Sequence, residues 1–171
     1  MKTTNTWPTL TVEIINPHVT LYYNGNRVDD SAKTIIKEYV DFLGKDISVM
    51  GYAYGNNGKN EGIAVQLPNS KIPYYGAKVP HITVSLTIGA KSVDTANLVY
   101  SRYNFSDFII TGKVGFCMED GTIAYSIEEV FGHGNVVYVG IFFDKEVLHN
   151  MSPDKILDYS LEQAMRLGYE D

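Results

Sequence analysis

Pro17-His18-Val19-Thr20-Leu21 and Pro80-His81-Ile82-Thr83-Val84 are nearly the same pentapeptide. Both read proline, histidine, apolar residue, threonine, apolar residue, and each lies in a β-branched run that predicts a strand. Residues two apart on a strand point to the same face. Each pentapeptide therefore presents an imidazole and a hydroxyl side by side. The chain has four histidines, so half of them fall in this repeated context. Histidine is the side chain whose ordinary pKa lies closest to neutrality, and a pair can divide the work of base and acid near pH 7. Phosphodiester cleavage needs that division, because a nucleophile loses a proton while the leaving oxygen gains one. The threonine hydroxyls are suited to hold non-bridging oxygens as charge builds on them. That chemistry requires no metal and no cofactor.

Outward from the two motifs, strands and hairpins dominate. Leu10 to Ile15 predicts a strand, broken by Asn16-Pro17, and His18 to Tyr23 predicts the next. Asp29-Asp30-Ser31 opens a helix whose stripe is Ile35, Ile36, Tyr39, Val40 and Leu43, with Gly44 as its stop. Asp46 to Tyr54 and Glu61 to Leu67 form a hairpin around Gly55-Asn56-Asn57-Gly58. A loop, Pro68 to Lys78, leads to the strand from Pro80 to Ile88. A short helix follows, with Ser92 as N-cap, to about Tyr100. Each histidine strand thus precedes a helix, a strand–helix pseudo-repeat. Phe108 to Met118 and Thr122 to Val130 predict a second hairpin, and Val136 to Phe143 an apolar strand. Ser152-Pro153-Asp154 opens a last helix that stops at Gly168. The fold class is α+β, with no linker or low-complexity tract to divide the chain.

Composition narrows the partners. The chain has 171 residues, 44% hydrophobic and 20% charged, with a net charge of −6. This favours one domain with a real core. The acidic balance argues against a basic face for duplex DNA and favours a small diffusible ligand. One cysteine, Cys117, permits no intrachain disulfide, and no Cys/His cluster has metal-ligand spacing. Met1 to Thr6 is polar, and no apolar run reaches the length of a membrane span, so a cytoplasmic location is expected, the host cytoplasm if the chain is viral.

The two motifs resemble the paired His-x-Thr signatures of the 2H phosphoesterases, the LigT-like superfamily. Gly76-Ala77-Lys78-Val79-Pro80-His81-Ile82-Thr83, followed by Lys91-Ser92-Val93-Asp94-Thr95-Ala96-Asn97-Leu98, is similar to the cyclic phosphodiesterase domain of plant and fungal tRNA ligases. The resemblance covers roughly residues 10 to 118, and residues about 119–171 are a less recognisable C-terminal part of the same domain. It implies a bilobal fold of two antiparallel sheets flanking a central cleft, with helices outside. It implies a catalytic set of His18, Thr20, His81 and Thr83. Members of the superfamily act on 2′,3′-cyclic phosphates, on ADP-ribose cyclic phosphate, on 2′-5′ oligoadenylates or on cyclic oligonucleotides, the last being the activity of phage anti-CBASS enzymes. No ligase or kinase domain is expected within these 171 residues, and the chain is acidic. Both features favour a cyclic di- or trinucleotide messenger, with a terminal 2′,3′-cyclic phosphate of RNA-end processing close behind. A non-catalytic nucleotide sponge using the same cleft is the alternative of another class.

Other residues carry weaker expectations. Strand alternation places Tyr22 on the face of His18 and Thr20, where it lines the cleft or packs. The same alternation places Ser85 beside His81 and Thr83. Lys78, just before the second motif, is a candidate phosphate contact. Tyr54, Tyr75 and Trp7, with Tyr52 and Tyr74, are candidates for base stacking. His133, in a glycine-flanked loop, and His149 read as structural or exposed.

Overall fold

The computed structural model describes residues 7–68, 71–103 and 105–152. The last helix expected from Pro153 onward lies outside the described residues. In chain order the elements are β1 (Val12–Glu13), β2 (His18–Tyr23), α1 (Asp30–Lys37), β3 (Asp46–Asn56), β4 (Asn60–Gln66), β5 (His81–Leu86), β6 (Phe108–Met118), β7 (Ile123–Ala124), β8 (Val136–Phe142) and α2 (Lys145–Asn150). The class is α+β, as expected.

The strands form one antiparallel sheet. Its hydrogen-bonded order β2-β8-β6-β3-β4-β5 closes on itself, because β5 pairs with both β4 and β2. The result is a six-stranded barrel, with β1 added outside β5 and β7 beside β6. Two separate sheets were expected from the resemblance; the pairing of β6 with β3 joins them into one, and that of β2 with β5 closes it. A barrel this small is filled by side chains. Val19, Leu21, Val49, Ile63, Val65, Ile82, Val84, Ile110, Val114, Phe116, Val139 and Ile141 all belong to the buried core.

Several elements are shorter than their sequence patterns predict. Only Val12–Glu13 of the Leu10 to Ile15 run is strand, because the preceding N–H groups bond to side chains instead. Thr9 N–H donates to Glu61 Oε1 and Leu10 N–H to Ser85 Oγ. The helix expected to run to Leu43 ends at Lys37 and resumes as a 3₁₀ turn, Val40–Phe42. Gly44 still ends the segment: its φ is +75°, and a Cβ there would lie 2.7 Å from the Tyr125 carbonyl oxygen. The Thr122 to Val130 strand is reduced to β7. Beyond it, Ser126 and Glu129 bond each other across a turn that leads into a 3₁₀ helix, Glu128–Val130. The helix expected after Ser92 is a 3₁₀ helix, Ser92–Asn97, with Lys91 in the cap position. A short helix that sequence reading passed over, α2, is capped by Asp144, whose carboxylate accepts from the N–H groups of Glu146 and Val147. Among the described residues no helix is long and apolar enough to cross a membrane.

Candidate functional site

The site is built on the seam between β2 and β5. Val19 pairs with Ile82 across this seam, and both side chains are 0% exposed, filling the barrel. Alternation then turns the neighbours of each, His18 and Thr20 on one strand and His81 and Thr83 on the other, to the outside. The strands run antiparallel, so one step either way sets His18 across from Thr83 and Thr20 across from His81. The two histidines occupy one diagonal of this square and the two threonines the other. Diagonal neighbours in such a pair lie about 7–8 Å apart, a span that long side chains bridge. All four side chains line one cleft of about 790 Å³.

Both rings are held in the same way. His18 Nδ1 lies 2.9 Å from the Asn16 carbonyl oxygen, and His81 Nδ1 lies 2.9 Å from that of Val79. A carbonyl only accepts, so each Nδ1 carries the hydrogen and each neutral ring keeps Nε2 as its basic nitrogen. In both cases the acceptor is the residue before the motif proline, so the repeated sequence sets the tautomer locally. Burial pushes both imidazoles below the ordinary value of 6.5. The bond to Asn16 opposes that push at His18, while the charge of His81 adds to it. The bond to Val79 opposes it at His81.

The surroundings of the two strands differ. The ring of His18 stacks on Tyr138 of β8, with centroids 4.7 Å apart, and lies 5.2 Å from the ring of Phe142. No aromatic ring stacks on His81 among the described residues. Thr83 Oγ1 lies 3.0 Å from Thr95 Oγ1, which also accepts from Asn60 Nδ2 at 3.0 Å. Thr95 and Asn60 are both buried. Gly62 makes room for this contact: a Cβ there would lie 2.5 Å from Thr95 Cγ2.

Two segments wall the cleft. One is the loop carrying Tyr74, Tyr75 and Gly76. Tyr75 N–H donates to the Leu21 carbonyl oxygen at 2.7 Å, and the Tyr39 hydroxyl to that of Pro73 at 2.9 Å. A Cβ on Gly76 would lie 2.6 Å from the Thr20 carbonyl oxygen, so only glycine lets the loop lie on β2 this closely. The Tyr75 hydroxyl donates to the Glu38 carboxylate, tying the loop to the end of α1. The other wall is the Lys91–Ala96 segment, which contributes Lys91, Ser92, Val93 and Ala96.

Of the weaker candidates, Tyr74 and Tyr75 line the cleft and the others do not. A bulge in β2 between Thr20 and Tyr22 breaks the alternation. Tyr22 is consequently turned inward, 6% exposed, with its hydroxyl donating to Asn24 Oδ1, while Tyr23, 69% exposed, lines the cleft in its place. Ser85 is likewise buried: its hydroxyl donates to Glu61 at 2.6 Å, next to a register shift between β4 and β5. Tyr54 donates to the same carboxylate. Trp7 is a core residue, stacked on Tyr54 and donating from Nε1 to the Leu148 carbonyl oxygen. Lys78 is exposed and outside the lining; the lysine that lines the cleft is Lys91. Tyr52 lies in a separate groove with Met50 and Arg102. His133 pairs with Asp120 and His149 approaches Glu13, both away from the cleft. Sequence reasoning missed Tyr23, Lys91, Ser92, Thr95 and Tyr138. Nothing local marks Tyr138, which arrives through the pairing of β2 with β8. No family model, curated protein or solved structure matches the chain.

Proposed function

We propose that this chain is a metal-independent phosphodiesterase of the 2H type, acting on a cyclic nucleotide phosphodiester. The supporting observation is the β2–β5 register, which brings two His-x-Thr sets, far apart in sequence, diagonally into one cleft with the same tautomer on both rings. In the reaction one neutral imidazole takes a proton from water at Nε2. The resulting hydroxide oxygen bonds to phosphorus, and the bond from phosphorus to the leaving ribose oxygen breaks. The other imidazole, entering protonated, gives its proton to that oxygen. Water is consumed, one proton has moved between the histidines, and no redox partner is needed. Thr20 donates to a non-bridging oxygen as negative charge grows there, and Thr83 does the same by turning its hydroxyl hydrogen from Thr95 Oγ1 to the phosphate.

The bilobal reading of the fold belongs to the same proposal. The barrel divides into β2-β8-β6 and β5-β4-β3, each half carrying one motif, and the halves meet near the site at a single register pair, Val19 with Ile82. The substrate class that best fits a cleft of about 790 Å³ with several tyrosines is a cyclic di- or trinucleotide messenger, as for anti-CBASS enzymes. The competing substrate is a 2′,3′-cyclic phosphate. The test is a panel of cyclic mono-, di- and trinucleotides and 2′,3′-cyclic nucleotides, incubated in EDTA with products read by mass spectrometry. The expected result is a linear or opened product that disappears with His18→Ala and with His81→Ala. Recovery of every ligand unchanged would overturn the enzyme reading, and tight binding in that case would identify a sponge.

A further inference from the structure

The cleft carries more charge recognition than one phosphodiester uses. Among the described residues, Lys91 is the one permanently charged side chain that lines it, and no Asp or Glu does. This holds in a protein whose net charge is −6. Among the described residues Lys91 forms no ion pair, as is also true of Lys33, Lys37, Lys45, Lys59, Lys71 and Lys78; what sets Lys91 apart is its place in the cleft wall. An ammonium in a concave wall whose described lining holds no carboxylate attracts an anion.

The anchor of that lysine is fixed. Its carbonyl oxygen accepts from Asn60 Nδ2 at 2.8 Å and from the Asp94 N–H at 3.0 Å. Asn60 is 2% exposed, and its other bond from Nδ2 goes to Thr95, the neighbour of Thr83. One buried amide therefore ties the backbone of Lys91 to the Thr83 end of the catalytic square. Ser92 follows on the same wall, and its hydroxyl has no side-chain partner among the described residues. The reacting phosphodiester is a single anion, already served by two threonine hydroxyls and a protonated imidazole.

We propose that Lys91 and Ser92 form a second anion subsite beside the His-x-Thr square, so that the preferred ligand is a nucleotide bearing a second phosphate. The inference rests on the phosphodiesterase reading for what occupies the square, and it separates ligands with two or more phosphates from a simple 2′,3′-cyclic mononucleotide.

The test is calorimetric binding of nucleoside 3′-monophosphates and 3′,5′-bisphosphates, each with all four bases, to the full chain. A charge-assisted contact predicts that the best-bound bisphosphate exceeds its monophosphate by about tenfold or more in affinity. Lys91→Met is expected to erase that margin while leaving the monophosphate within about threefold, and Lys91→Arg to retain most of it. Lys91 is exposed, so the fold tolerates both substitutions. Equal affinity for the two ligand classes, no binding of either, a margin that survives Lys91→Met, or an equal loss for both would overturn the subsite. This readout is independent of turnover: a chain that cleaves nothing in EDTA but shows the Lys91-dependent margin loses the enzyme reading and keeps the subsite. A chain that cleaves its substrate without the margin does the reverse.

Discussion

The two His-x-Thr strands are alike in what they present and unlike in what stands behind them. β2 and β5 share the motif, the inward apolar residue, the tautomer and the 2.9 Å bond to the residue before the proline. Behind β2, however, His18 is covered by Tyr138 and Phe142, while Thr20 has the close-lying Gly76 loop. Behind β5 the support goes to the threonine: Thr83 rests on Thr95 and Asn60. The local repeat builds a near-symmetric square of groups, and the tertiary neighbours make its corners unequal. Under the proposed chemistry this is useful, because base and acid have different tasks and should not titrate alike.

Removing the square itself breaks the comparison hardest. His18→Ala and His81→Ala are each expected to lower kcat by about 10²–10⁴-fold. The double variant should fall little further than the worse single one, because the pair acts as a unit. A single variant at full rate in initial-rate measurements would show that the strands do not work together. The threonine support comes next. Thr95→Val removes the hydroxyl behind Thr83 and is expected to lower kcat about tenfold with KM nearly unchanged, a positioning effect within the range for a weakened charge-stabilising donor. It also leaves Asn60 short of one partner, at a cost of about 1–3 kcal/mol visible in thermal unfolding.

The pH profile sharpens the difference between the histidines. One ring must be neutral and one protonated, so kcat/KM is bell-shaped. Burial lowers both imidazoles, so the maximum should fall on the acid side of 6.5. Tyr138→Ala uncovers His18 and relieves its burial, so the limb belonging to His18 should move to higher pH while the other stays. Movement of both limbs together would mean that the two rings are not distinguished by their surroundings. The smallest effects separate neighbouring tyrosines. Tyr23→Ala is expected to raise KM about tenfold by removing a stacking surface. Tyr22→Phe should leave KM unchanged and cost about 1 kcal/mol of stability through the lost bond to Asn24. The opposite pattern would put Tyr22, not Tyr23, in the cleft.

Much of the scaffold was legible locally. Period-two patterns and turn residues marked β2 through β6 and β8, because a half-buried strand writes its alternation into the sequence. They failed where a side chain replaced a ladder bond, as at Leu10, and where a bulge reversed the alternation, as at Tyr22. The cleft walls were hardest to see. Tyr138 and Lys91 have no local signature, and Lys78, nearer to the motif in sequence, is the wrong lysine in space.

The sequence by itself determined the four groups of the square and their pairing along each strand, since these depend on residues no more than two apart. Only the tertiary structure decided that the two strands meet at Val19 and Ile82, which aromatic rings cover His18, and which lysine faces the cleft. Those outcomes depend on how a closed barrel brings distant strands edge to edge. Strand pairing is set by the fit of a whole apolar interior, and no short stretch of chain contains that information.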